Sequence, residues 1–133
     1  MGADFMVIHQ SAEDYLESIL ALEERLGHGQ VHSIDIVNRL GFSKPSVSIA
    51  MKKLRENGYI LMAGDGAITL TDKGMEIASS VYGRHKTLTK LFEYLGVSAG
   101  QAEVDACKVE HDLSEETYQK IVGFVRRACP EWS

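Results

Sequence analysis

Cys107, Glu110 and His111 offer a thiol, a carboxylate and an imidazole at positions i, i+3 and i+4. On a helix these three side chains stack on one face. They are also side-chain types that bind first-row divalent metals, the thiolate favouring the softer ions. The plain alternative is a lone helical cysteine acting as a small buried hydrophobe beside a solvated Glu-His pair. The rest of the chain has to decide between the two.

A chain of 133 residues suffices for one ordinary core or for two small halves. Two cysteines, Cys107 and Cys129, make no disulfide framework, so a thiol ligand is permitted in a reducing compartment. No apolar run is long enough to span a bilayer, and Met1 to Gln10 lacks the pattern of a signal peptide. The expectation is a cytoplasmic protein with no membrane partner. The net charge of −5 has the wrong sign for a simple nucleic-acid binder, but it is unevenly placed. From Ile36 to Ile60, Arg39, Lys44, Lys52, Lys53 and Arg55 stand against Glu56 alone. From Val97 to Glu116, Glu103, Asp105, Glu110, Asp112, Glu115 and Glu116 stand against Lys108. One segment suits phosphate and the other suits cations.

The apolar spacing of Tyr15, Leu16, Ile19, Leu20, Leu22 and Leu26 predicts a helix over about 11 to 27, with Ser11 and Asp14 as a capping pair and Gly27 as the stop. Asp14 and Glu17 share a face of it, a placement that acids in a first turn also adopt to complement the helix dipole. Val31 to Leu40 reads as a short helix with Ser33 as its N-cap. Gly41-Phe42 turns the chain, and Ser43 caps a second helix with Pro45 in the first turn, where the missing N–H costs little. Val47, Ile49 or Ala50, Met51 and Leu54 turn inward, and Asn57-Gly58 ends the helix. A short helix, a turn and a basic helix make a helix-turn-helix. Tyr59 to Met62 and Ala67 to Leu70 then form a hairpin about Gly64-Asp65-Gly66, which completes a winged helix. Its tip carries Asp65 and no basic residue. Thr71-Asp72 opens a long helix that holds His85, weakened slightly by Gly74 and Gly83, and ends at Gly96. A lone helical His such as this is commonly structural. Ser98 with Gln101 opens the helix of Cys107, and Ser114 opens a last one, which Pro130 stops.

In order along the chain, Glu13-Asp14-Tyr15-Leu16-Glu17, Ser43-Lys44-Pro45-Ser46-Val47-Ser48, Leu70-Thr71-Asp72-Lys73-Gly74, Arg84-His85 and Glu110-His111-Asp112-Leu113-Ser114 resemble the metal-dependent bacterial repressors of the diphtheria toxin repressor and manganese transport regulator family. The resemblance covers about residues 11 to 125. It implies a mainly α protein with a winged helix-turn-helix DNA-binding domain over 1–71 and a helical metal-binding and dimerisation domain over 72–133, a short form without the SH3-like domain of longer relatives. It also implies a ligand set of Asp14, Glu17, His85, Cys107, Glu110 and His111. The Cys is that of iron-type members, whereas Asp14 is that of manganese-type members. Thr89 and Glu103 stand where iron-type members place a Glu and a His of an ancillary site, so a pair of ions per protomer shared by the six residues is expected, with Glu103 as a further candidate.

The implied function is a transcriptional repressor of metal-uptake or homeostasis genes, with Fe(II) or Mn(II) as corepressor. Its partners are a second copy of the chain and a palindromic double-stranded operator, with no organic substrate. Without a cation, Asp14, Glu17 and Glu110 brought together would repel one another. On DNA, Ser43, Pro45, Ser46 and Ser48 would lie at the groove and Lys44, Lys52 and Lys53 at phosphates. Ile49 falls where iron-type relatives place a polar residue facing the bases. Three other readings remain: a metalloenzyme using the Cys/Glu/His cluster, a winged-helix protein that mediates protein contacts or senses a non-metal ligand, and a redox switch through Cys107 and Cys129. No HExxH, nucleophile elbow or Gly-rich phosphate loop supports an enzyme.

Overall fold

The structure is a computed structural model that describes the backbone of residues 2–132 and the side chains of residues 11–131. Among these described residues, six helices and one hairpin follow in order: α1 (Gly2–Leu26), α2 (Ser33–Leu40), α3 (Lys44–Glu56), β1 (Ile60–Met62), β2 (Ile68–Leu70), α4 (Asp72–Tyr94), α5 (Ala99–Val109) and α6 (Glu115–Ala128), closed by a 3-10 turn at Pro130–Trp132. The fold is mainly α, with an N-terminal winged helix-turn-helix. The chain divides into two compact units, Met1–Ser80 and Val81–Ser133, with the boundary inside α4.

In the first unit the inward stripes meet in one core: Leu16, Ile19 and Leu22 of α1, Ile36 of α2, Val47, Met51 and Leu54 of α3, Ile60 and Ile68 of the strands, and Ala78 of α4. Burying each of the larger side chains contributes about 1.5 to 3 kcal/mol relative to leaving it in water. The capping pair expected at Ser11 is not a helix start, because α1 runs through it from Gly2. No Gly or Pro interrupts residues 3–10, so nothing forces the helix to begin at the serine. Asp14 and Glu17 are therefore mid-helix residues, and the dipole explanation for them lapses.

The cap of α2 is His32 and not Ser33: the Asp35 carboxylate accepts from the His32 backbone N–H at 2.8 Å. Val31 stands outside the helix. Its carbonyl accepts from the Ile68 N–H at 2.8 Å, which makes it a third, single-residue partner of the wing sheet. Gly41, with φ of 73°, ends α2 in the left-handed conformation that glycine adopts without strain and sets the turn into α3. Ser43 caps α3 by accepting from the Ser46 N–H at 3.2 Å.

The strands pair antiparallel with Ile60 opposite Leu70, Leu61 opposite Thr69 and Met62 opposite Ile68. Asp65 stays in the turn, its carboxylate accepting from the Ala67 N–H at 3.0 Å. The Thr71 hydroxyl then donates to the Gly58 carbonyl at 2.7 Å and accepts from the Gly74 N–H at 3.1 Å, which welds the wing to the start of α4. Gly74 is no mere weak point of that helix: any Cβ there would overlap the Tyr59 carbonyl oxygen.

In the second unit, Val81 and Leu88 of α4, Ala102 and Ala106 of α5, and Val125 and Cys129 at the end of α6 are buried. Gln101 does not close a capping box at Ser98 but donates to Asp105 at 2.9 Å. Ser114 does cap α6, accepting from the Thr117 N–H at 3.1 Å.

Candidate metal centre and nucleic-acid interface

Glu110 is the centre of the second unit's chemistry. Its side chain is 1 % exposed, although it is a carboxylate at the C-cap of α5. Burying such a group is costly without compensating charge or donors. Its Oε2 lies 3.0 Å from His85 Nδ1, and its Oε1 lies 3.4 Å from His111 Nε2. Oε1 is buried and accepts no hydrogen bond from the described residues. A Glu110 carboxylate oxygen and the Cys107 sulfur lie within 4.8 Å of each other. Four of the six expected ligands thus meet within one unit: His85 from α4, Cys107 from the last turn of α5, and Glu110 and His111 from the turn that follows it.

The trio is not carried wholly on one helix, as the spacing suggested. Glu110 keeps helical angles, φ −57° and ψ −29°, but α5 ends at Val109 and His111 belongs to a turn. That turn is fixed by Arg84, to which the sequence alone assigns no role. Arg84 donates through Nη1 to the carbonyls of Glu110, at 3.2 Å, and Leu113, at 2.7 Å. It also reaches Glu115 at 3.4 Å and lies over the Tyr118 ring, 4.9 Å from its centre. The Glu110 carbonyl stands at the C-terminal end of α5, where intrahelical partners run out, and the Leu113 carbonyl lies in the turn before α6; a guanidinium suits both by charge and geometry. Arg84 therefore seats the turn that presents Glu110 and His111. The signal was its place directly before His85: successive helical side chains point about 100° apart, so the two can serve neighbouring parts of one site.

The opposite ring nitrogen of His85, Nε2, faces Glu103 at 3.9 Å, and Glu103 is largely exposed. Thr89 uses its hydroxyl on the His85 carbonyl at 2.7 Å. Asp14 and Glu17 lie one turn apart on α1 in the first unit, Asp14 half-buried and Glu17 7 % exposed. Burial, with a smaller contribution from the Asp14 charge, pushes the Tyr15 phenol above its ordinary pKa. Neither cysteine is in a disulfide: Cys107 is exposed and Cys129 buried. Burial foremost and Glu131 next raise the Cys129 thiol against an opposing effect of Lys90, so it is a poor partner for thiolate chemistry. A buried carboxylate with an oxygen that accepts no hydrogen bond, two imidazoles and a thiol nearby fit a divalent cation.

All seven residues expected at DNA are exposed on α3 or at its cap: Ser43, Lys44, Pro45, Ser46, Ser48, Lys52 and Lys53. The Ser43 hydroxyl is engaged in capping and donates to the Ser46 hydroxyl at 2.8 Å. Of the two candidates for the inward face, Ala50 is half-buried and Ile49 points outward. Among the described residues, no helix is long and apolar enough to cross a membrane.

A winged helix-turn-helix in a chain that also carries a buried glutamate flanked by two histidines, with a thiol beside it, has the build of a metal-responsive DNA-binding protein. The chain belongs to the iron-dependent repressor family: residues 8–68 match its N-terminal DNA-binding domain and residues 71–131 its metal-binding and dimerisation domain. It is 36 % identical over 121 residues to an uncharacterized HTH-type transcriptional regulator of Methanocaldococcus jannaschii, covering 89 % of this chain and 94 % of that one. It is 32 % identical over 115 residues to the transcriptional regulator MntR of Salmonella typhimurium, covering 86 % and 72 %. A solved manganese-dependent transcriptional repressor in complex with manganese superposes with a TM-score of 0.74 at 29 % identity, over 86 % of this chain and 52 % of that one. The chain thus spans about half the length of such solved structures. Its family is one of transcriptional regulators that bind DNA, dimerise and respond to a divalent metal.

Proposed function

We propose that this protein is a cytoplasmic repressor of metal-uptake or homeostasis genes that uses Fe(II) or Mn(II) as corepressor. The observation that carries the reading is the buried Glu110 carboxylate with His85, His111 and Cys107 around it. In this reading Asp14 and Glu17 complete the ligand set, and the six residues hold a pair of ions per protomer. A bound divalent ion supplies positive charge that offsets the carboxylates and favours the one arrangement in which all its ligands converge.

The chain's own groups do the rest. Residues 72–133 hold the metal and the dimer contacts, to which the exposed apolar side chains Tyr94, Leu95, Val104 and Phe124 are suited. Residues 1–71 bind DNA. Lys44, Lys52 and Lys53 take phosphates while Ser43, Pro45, Ser46 and Ser48 approach the bases, and a twofold dimer matches a palindromic operator with half-sites about one helical turn apart. Glu103 acts on His85 from outside the ligand set. A thiolate ligand beside carboxylates favours Fe(II), with Mn(II) next.

The test is an anaerobic gel shift on the promoter of the protein's own gene or of a neighbouring metal transporter, with Fe(II), Mn(II), Zn(II) or chelator. Wild type is expected to shift the DNA only with metal, and Cys107→Ala to lose more of the iron response than of the manganese response. Binding that ignores both metal and chelator would refute the corepressor role.

A further inference from the structure

We infer that Ile49 is a specificity residue, whose side chain seats on the C5-methyl group of a thymine in the major groove of each half-site. The inference rests on the DNA-binding function proposed above. The inward residues of α3 are Val47, Met51 and Leu54, and Ile49 lies on the opposite side, 58 % exposed. Its neighbours one turn before and after are Pro45, Ser46, Lys52 and Lys53, all exposed. It is therefore the midpoint of the surface that α3 turns to the groove, between the first turn, which approaches base edges, and the cations that suit phosphates.

A single exposed isoleucine elsewhere on a protein would call for no explanation. At this position its chemistry limits what it can face. It neither donates nor accepts a hydrogen bond, so it cannot match the N7 and O6 acceptors of guanine, the N7 and N6 groups of adenine or the N4 donor of cytosine. Pressed against any of these, it would strip water from a polar group and offer nothing in return. The thymine methyl is the one apolar group that the four bases present in the major groove. The side chain is also stiff at χ1, so little rotamer freedom is lost when it is seated.

The experiment selects duplexes from a random library with the Mn(II)-loaded protein, then measures affinity for the selected site with each thymine replaced in turn by deoxyuridine, which deletes only the methyl. For wild type one replacement per half-site is expected to weaken binding about fourfold, and about 15-fold when both half-sites are changed, the value of losing one buried methyl at each. Ile49→Ala, an exposed position whose change leaves the core intact, is expected to bind the thymine site more weakly and to respond less than about twofold to uracil at those positions. A selected motif whose affinity is indifferent to every uracil overturns the assignment to Ile49 and leaves the repressor standing, as does a uracil penalty that persists unchanged in Ile49→Ala. Selection of no metal-dependent motif overturns both.

Discussion

Replacing Glu110 by Gln exchanges one oxygen for an amide nitrogen in a site where the side chain is 1 % exposed. In the metal-free protein both short contacts survive. The amide oxygen still accepts from His85 at the 3.0 Å position, and the NH2 faces His111 Nε2 at the 3.4 Å position. A buried charge is removed at the same time. The metal-free variant is therefore expected to be within about 1 kcal/mol of wild type or more stable, against about 3 to 5 kcal/mol lost when a structural buried ion pair is broken. With unfolding entropy of about 2.1 cal/mol/K per residue, the 133 residues give about 0.28 kcal/mol per degree. The expected metal-free change is thus under about 4 °C of lowering. Metal at a hundred times its Kd adds about 2.7 kcal/mol to wild type, a rise of about 10 °C. If the variant's affinity falls about a hundredfold, the same metal concentration adds about 0.4 kcal/mol, or 1 to 2 °C. Thermal melts followed by circular dichroism, with chelator and across a Mn(II) series, measure both quantities. A variant that melts about 10 °C lower without metal yet keeps the full metal-induced rise would show that Glu110 is a structural ion-pair residue and not a ligand.

Gly74→Ala sets helix propensity against sterics: the propensity gain is about 1 kcal/mol, but the overlap with the Tyr59 carbonyl, itself bonded to the Thr71 N–H at 3.1 Å, is expected to leave a net loss of about 1 to 3 kcal/mol in urea unfolding. Arg84→Ala is expected to weaken Mn(II) binding about tenfold or more in a calorimetric titration, because the turn bearing Glu110 and His111 loses its anchor. Arg84→Lys should recover only part of this, since an ammonium lacks the second nitrogen that reaches Glu115 and the planar face that lies over the Tyr118 ring. In native protein a thiol reagent is expected to label exposed Cys107 well before Cys129, whose raised pKa keeps it protonated as pH rises through the ordinary thiol range. Added metal should protect Cys107 selectively, and equal labelling rates would refute that ordering.

Apolar periodicity by itself determined much of this protein. Leu16, Ile19 and Leu22, then Val47, Met51 and Leu54, mark the buried stripes of α1 and α3 because a repeat of three and four residues keeps one side of a helix dry whatever it packs against. The caps at Ser43 and Ser114 and the hairpin after α3 were equally local, since side-chain hydroxyls and Gly-rich turns act within a few residues. The types and spacing of Cys107, Glu110 and His111 marked them as potential ligands for the same reason.

What needed the tertiary structure were matters settled by residues distant in sequence. Ser11 has the chemistry of a cap, but a cap is needed only where the helix begins, and α1 begins at Gly2. Gly74 looks like a helix defect until the Tyr59 carbonyl is seen against it. Val31 pairs with Ile68 across 37 positions, and Arg84 reaches carbonyls 26 and 29 residues away. Ile49 and Ala50 were equal candidates for the core, and only the packing of α3 decided which one faces outward. The burial of Glu110 is of the same kind: spacing shows that a carboxylate can stand beside an imidazole, whereas its removal from water depends on the helices around it, and burial without compensating charge is costly.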